Sequence, residues 1–175
     1  IYALQMGKHV LVEKPAAMDT TQMIEMMSVA RAQDRLLAVG HMWRYHPEVI
    51  SFRDSIRAGE LGKVIRTHGY GVHAHWGPSG WFIDKSLAGG GALIDMGIHA
   101  IDTARFLLDD PQPIRVQATI GFGKYGDYEV DDDGIIGRLQ RRHRLDAVQA
   151  RAHADPGLRA DGRDRLAHPP DQGRG

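Results

Sequence analysis

Asp95 and His99 stand four residues apart, just after three consecutive glycines, in the stretch Ala88-Gly-Gly-Gly-Ala-Leu-Ile-Asp-Met-Gly-Ile-His-Ala-Ile-Asp102. On a helix that spacing places the two side chains one turn apart on the same side. An imidazole is the side chain whose unperturbed pKa lies nearest neutrality, and a neighbouring carboxylate can set its tautomer and raise its basicity. Gly89, Gly90 and Gly91 let the backbone turn sharply and let another surface come close. The stretch therefore reads either as a catalytic wall or as a tight turn before a surface helix with one solvated ion pair. Lys14 is the next candidate. It sits in Glu13-Lys14-Pro15, at the end of the short apolar run His9–Glu13. Pro15 biases Lys14 toward extended backbone, and the carboxyl ends of strands in open α/β sheets are where ligands bind. Taken alone, the tripeptide reads more readily as an exposed lysine closing a strand.

Other residues carry weaker chemistry. Trp43, Arg44 and Tyr45 fall between an apolar strand and a helix that opens at Pro47. They could hold a flat, polar or anionic ligand, or form a hinge between layers. His73 and His75 alternate on one side of a β-like stretch from Val64 to Trp76, with His68 opposite. A zinc site would need further ligands, and no H-E-x-x-H pattern occurs, so no metal is assigned. Gly121-Phe-Gly-Lys-Tyr-Gly126 has the spacing of a dinucleotide fingerprint, but the acidic residues Asp127, Glu129, Asp131, Asp132 and Asp133 follow it. A phosphate-holding glycine loop needs a helix amino end next, so this segment reads as a turn between strands.

The elements that must position these residues follow from periodicity. Ile1–Met6 reads as a helix end closed by Gly7, and His9–Glu13 as a strand buried on both faces of a parallel sheet. Asp19 and Gln22 form a capping box for a helix whose buried side is Met23, Met26, Met27 and Ala30. Leu36–Gly40 is a second short strand. The helix from Pro47 ends at Gly59 and turns Val49, Phe52 and Ile56 inward. Trp81 and Phe82 begin a loop leading to the glycines. A helix from about Ile94 to Leu108, with Ile94, Ile98 and Ile101 inward, precedes a strand from Ile114 to Phe122.

The chain has 175 residues, no cysteine, and 22 basic against 22 acidic side chains. The absence of cysteine excludes disulfides and thiolate metal sites. No apolar run approaches the length of a membrane span and the start lacks signal-peptide features. The expectation is a cytoplasmic protein that binds neither nucleic acid nor membrane. From Gly137 onward the composition changes to nine arginines, five aspartates, and no lysine, isoleucine, methionine or aromatic residue. That stretch is expected to be disordered. Its composition is that of a GC-rich gene read out of frame, or else of a basic arm.

Residues 1–136 resemble the Gfo/Idh/MocA oxidoreductases, through A-L-x-x-G-K-H-V-L-V-E-K-P at 3–15, G-x-L-G-K-V at 59–64 and G-G-G-x-L-x-D-x-G-x-H at 89–99. The resemblance implies an α/β fold. Residues 1–40 would be the carboxyl-terminal remnant of a Rossmann domain and 41–136 a partial, open-sheet α/β domain for substrate and oligomerisation, with 137–175 as the tail. It further implies hydride transfer between NAD or NADP and a hydroxyl of a sugar, inositol or related polyol, in a homo-oligomer when complete. Lys14, Asp95 and His99 would be catalytic, with either Lys14 or His99 as the base. Glu13, Lys14, Pro15, Arg44 and Trp81 would contact cofactor. The family's nucleotide loop is not in this stretch, so the fragment itself is expected to be inactive. Two other readings are a noncatalytic assembly module and a metal-assisted hydrolase using His73, His75 and His99.

Overall fold

Two short apolar runs, Val10–Glu13 (β1) and Leu37–Gly40 (β2), pair in parallel, with Val10 opposite Leu37 and Glu13 opposite Gly40. The computed structural model describes residues 1–73, 79–140 and 147–154. Parallel neighbours need a crossover, supplied here by a helix from Thr20 to Ala32 (α2), preceded by a single turn from Tyr2 to Gln5 (α1). Asp19 accepts from the Gln22 amide at 2.8 Å, while the Gln22 side chain accepts from the Met18 amide at 3.0 Å. The capping box is thus present with its return bond one residue further out. Met23, Met26, Val29 and Ala30 take the covered side of α2, whereas Met27 is 38% exposed. Leu11 is 76% exposed, between half-buried Val10 and Val12. Among the described residues, one face of this two-stranded sheet is packed.

After β2 the chain makes a tight 3-10 turn at Met42–Tyr45 and enters a helix from Pro47 to Arg57 (α3). Strand Arg66–His73 (β3) follows, then a helical turn at Gly80–Ile83, a one-turn helix Lys85–Ala88 (α4), a π-helical turn Leu93–Gly97 and a helix Ile98–Leu107 (α5). Strands Pro113–Gly121 (β4), Asp133–Gln140 (β5) and Ala147–Ala154 (β6) complete a four-stranded sheet in the order β3-β6-β5-β4. β3 and β6 run parallel; the other neighbours are antiparallel. The Gly121–Gly126 segment runs from the last residue of β4 into the connection to β5 and leads into no helix.

The expectation of disorder from residue 137 is corrected for two segments. β5 runs on to Gln140, and β6 occupies 147–154 between β3 and β5. A ladder needs backbone amides and carbonyls rather than large side chains. The sequence of β6 also alternates, Val148, Ala150, Ala152 and Ala154 against Gln149, Arg151 and His153, a period of two that composition alone conceals. The remainder of the tail, like His75, lies outside the described residues.

The helix formed by the π turn and α5 lies against this sheet because β3 has no side chain where they meet. A Cβ on Gly69 would fall 2.6 Å from the Ala100 Cβ, and one on Gly71 would fall 2.7 Å from the Met96 Cβ. α3 packs on the other side of α5, with the Arg53 guanidinium 4.0 Å from the Phe106 ring centroid. Arg53 thereby takes the inward place expected for Phe52, which is half exposed. The sequence periodicity also misjudged which stripe of α5 is most covered. Ile94, Ile98 and Ile101 are half-buried, whereas Asp95, His99 and Asp102 are 8%, 5% and 6% exposed.

Candidate active site

Helices do not bury carboxylates and imidazoles without compensating partners, and each of these three has one. The Lys14 ammonium donates to Asp95 Oδ1 at 2.5 Å and to the Asp95 carbonyl at 3.0 Å. This contact spans 81 residues and joins the carboxyl end of β1 to the π turn. His99 stacks face to face on Trp43, with ring centroids 4.8 Å apart and planes 15° from parallel. Asp102 accepts from Arg44 Nε at 2.8 Å and from Arg44 Nη2 at 2.5 Å. His41 Nδ1 lies 3.6 Å from the same carboxylate.

The local chain explains why these groups meet. The Lys14–Pro15 peptide is cis, and Lys14 lies at the end of β1. His41, Trp43 and Arg44 come from the turn at the end of the adjacent parallel strand. A π turn shifts the angular offset between its residues relative to an α-helix, and such turns cluster at functional sites. Here Asp95 faces Lys14 and His99 faces Trp43, although the charge of Asp95 still reaches the imidazole.

The start of the π turn is held from a distance. Asp131 accepts from the Gly91 amide at 2.7 Å and the Leu93 amide at 2.9 Å, and its carbonyl accepts from the Ala92 amide at 2.8 Å. One aspartate outside the helix thus does the work of a cap. A Cβ on Gly91 would come within 1.9 Å of the Asp131 carbonyl oxygen. Gly91→Ala is therefore expected to displace this clamp and lower stability by about 3 kcal/mol, read as a lower urea midpoint with unchanged slope. An unchanged midpoint would mean that the glycine run is not held by Asp131.

The site's electrostatics favour a neutral imidazole. Burial lowers the His99 pKa below its ordinary value of 6.5, and the Lys14 and His41 charges push it the same way against Asp95 and Asp102. Arg44 is pushed the opposite way, up, chiefly by its hydrogen bonds to Asp102.

The sequence candidates do not all arrive here. Lys14, Asp95 and His99 converge. Arg44 is joined to them, but with its guanidinium committed to Asp102. Glu13 remains on β1, its carboxylate accepting from the Lys14 amide at 3.3 Å. Trp81 stacks on Phe82 in the turn Gly80–Ile83, with centroids 3.9 Å apart, and is half exposed. Tyr45 is 79% exposed. His73 ends β3. Two site residues escaped the sequence reading, Asp102 and His41. Asp102 could have been found, since it continues the Asp95, His99 stripe by three residues.

Comparison with known proteins defines the class. Residues 1–41 match the oxidoreductase family with an NAD-binding Rossmann fold, and residues 49–137 match the GFO/IDH/MocA C-terminal domain. The chain belongs to the Gfo/Idh/MocA oxidoreductase family. It is 36% identical over 143 residues to 1,5-anhydro-D-fructose reductase of Ensifer adhaerens, covering 79% of this chain and 41% of that protein. It is 35% identical over 155 residues to D-glucoside 3-dehydrogenase of Escherichia coli K12, covering 80% and 44%. Among solved structures, GenD2 from gentamicin A biosynthesis, in complex with NAD, superposes with a TM-score of 0.77 at 28% identity, over 89% of this chain and 44% of that one. The chain thus spans under half the length of these relatives.

The residues present fit one end of such a cofactor. The carboxyl ends of β1 and β2 open side by side at Glu13–Pro15 and Gly40–Arg44, as parallel sheets that bind nucleotides do. Lys14 follows the first of these ends and pairs with Asp95, on the turn that leads into the helix bearing His99. Among the described residues no glycine-rich turn leads from a strand into a helix amino end.

Proposed function

We propose that these residues carry the acid–base part of an NAD(P)-dependent oxidoreductase acting on a hydroxyl of a sugar or related polyol. One observation carries the reading: the Lys14 ammonium on Asp95 at 2.5 Å, which binds the end of a nucleotide-type strand to the helix bearing His99. The cofactor, when bound, accepts hydride from the carbinol carbon. His99, neutral in its buried setting, takes the hydroxyl proton. Lys14 donates to the same oxygen and offsets the negative charge that develops on it. Asp95 holds the ammonium in place from both its carboxylate and its carbonyl. Trp43 covers one face of the imidazole and keeps water from it. The names of the relatives support a carbohydrate substrate. No group of three or more possible metal ligands lies close together among the described residues, and no helix among them is long and apolar enough to cross a membrane.

The test is oxidation of a panel of aldoses, glycosides and inositols with NAD+ and with NADP+, followed by the absorbance of reduced nicotinamide. It uses the longest polypeptide that the gene encodes around these residues. Turnover of at least one carbohydrate is expected. The pH profile assigns the base. His99 must be neutral to accept a proton, and burial lowers its pKa. The acid limb of kcat/KM is therefore expected below the ordinary imidazole value of about 6.5, with a plateau through neutrality. A limb in the alkaline range would transfer the role to Lys14. Absence of reduced nicotinamide with every substrate would overturn the oxidoreductase reading.

A further inference from the structure

The acid–base reading uses Lys14, Asp95 and His99 and leaves a second buried charge cluster unexplained. Asp102 is 6% exposed, and a carboxylate so far from water is costly unless it is well paired. Its pairing is directional. Arg44 presents Nε and Nη2 to the two carboxylate oxygens, a geometry that fixes the plane of the guanidinium as well as its position. His41 faces the same carboxylate from 3.6 Å, and its Nδ1 is buried with no hydrogen-bond partner. His41 and Arg44 bracket the turn that holds Trp43, and the Arg44 amide donates back to the His41 carbonyl at 3.2 Å. One carboxylate on α5 therefore grips this turn, while Trp43 within it reaches back to stack on His99, three residues before that carboxylate.

We propose that Asp102 is a positioning residue of the active site: by gripping Arg44 it seats the Met42–Tyr45 turn so that Trp43 lies flat on His99 and fixes the plane of the imidazole. The inference rests on the reading of His99 as the proton acceptor. The torsion that orients an imidazole has broad, roughly two-fold wells, so packing has to choose the ring plane. A base whose lone pair is misdirected is ineffective whatever its pKa. The Arg44–Asp102 pair does for the ring plane what Asp95 does for the Lys14 ammonium.

The alternative role is that Asp102 acts as a bare counter-charge. The two roles predict opposite changes. The charged groups facing His99 are Lys14 from the end of β1, Asp95 from the π turn, His41 from the end of β2 and Asp102 from its own helix. If Asp102 were only a charge, Asp102→Asn would remove a negative neighbour and lower the His99 titration midpoint further. If it seats Trp43, the same change frees the indole, admits water to the imidazole and raises the midpoint toward the ordinary value. Arg44→Lys separates the roles again, because it keeps both charges and loses the two-pronged geometry.

The experiment is NMR on the 175-residue chain with isotope-labelled histidine and tryptophan. It follows the Trp43–His99 proton–proton contact and the His99 titration in wild type, Asp102→Asn and Arg44→Lys. Loss of most of the contact and an upward midpoint are expected in both variants. A preserved contact in both variants, or a downward midpoint in Asp102→Asn with none in Arg44→Lys, would overturn the proposal. If Asp102→Asn loses its folded amide spectrum, Arg44→Lys carries the decision alone. Neither readout needs turnover, so an inactive wild type would count against the oxidoreductase reading and leave this result standing.

Discussion

Replacing Lys14 by Met is expected to lower kcat for hydroxyl oxidation by about 10²–10³-fold, the usual loss when a donor to a developing oxyanion is removed. Met keeps the unbranched stem and removes the ammonium, so packing at the end of β1 changes little. The side chain is 17% exposed in its pair with Asp95, which is 12% exposed, and its charge acts in a setting where water screens it poorly. The substitution should also move the pH profile. The His99 pKa is lowered first by burial and next by the Lys14 charge. Burial remains in Lys14→Met while the repulsion disappears, so the imidazole becomes easier to protonate and the acid limb of kcat/KM shifts to higher pH. A variant that is only less stable would lose activity uniformly with pH. Steady-state kinetics across the acid range separate the two, and an unchanged limb with unchanged kcat would remove Lys14 from the relay.

His99→Ala is expected to cost about 10²–10⁴-fold in kcat, the range for loss of a general base, with little change in cofactor affinity. The reason lies in placement. His99 is on α5, whereas the proposed nicotinamide end lies at the carboxyl ends of β1 and β2. Binding of NAD(H), measured separately by calorimetry, should therefore stay within a few-fold. His73→Ala, at the end of β3, is the control and should leave the rate within a few-fold. Equal losses from both substitutions, each restored by added zinc, would instead favour a metal-assisted reaction. A silent His99→Ala would leave Lys14 as the base.

Much of this site was legible before any coordinates, and for identifiable reasons. Lys14 was recoverable because Pro15 and the apolar run before it place it at the end of a strand. Asp95 and His99 were recoverable because a glycine run and a four-residue spacing are local features. What local spacing could not supply was the identity of the partners. Helical periodicity paired Asp95 with His99, but a π turn and a strand 81 residues away give Asp95 to Lys14. Periodicity also turned the isoleucines of α5 inward, and the stripe of Asp95, His99 and Asp102 is buried more deeply. That outcome depends on Lys14 and Arg44 arriving from elsewhere to neutralise it. Arg44 illustrates the same limit. Its type suggested an anionic ligand, and its geometry spends both prongs on Asp102.

The tail shows the converse. Composition spoke against order after Gly137, but β5 and β6 continue the sheet through 140 and from 147 to 154, because backbone hydrogen bonding to a neighbouring strand is indifferent to the residue types that composition counts. Local sequence was enough for the existence of β1, α2, β2 and α3, for the family motifs and for Lys14, Asp95 and His99 as candidates, all of which depend on neighbours within a turn or two. Long-range packing settles which charge meets which, that the polar stripe of α5 is buried more deeply than its isoleucines, and that Trp43 lies on His99. Those depend on long-range burial, where a buried charge is stable only beside a partner that the chain brings from far away.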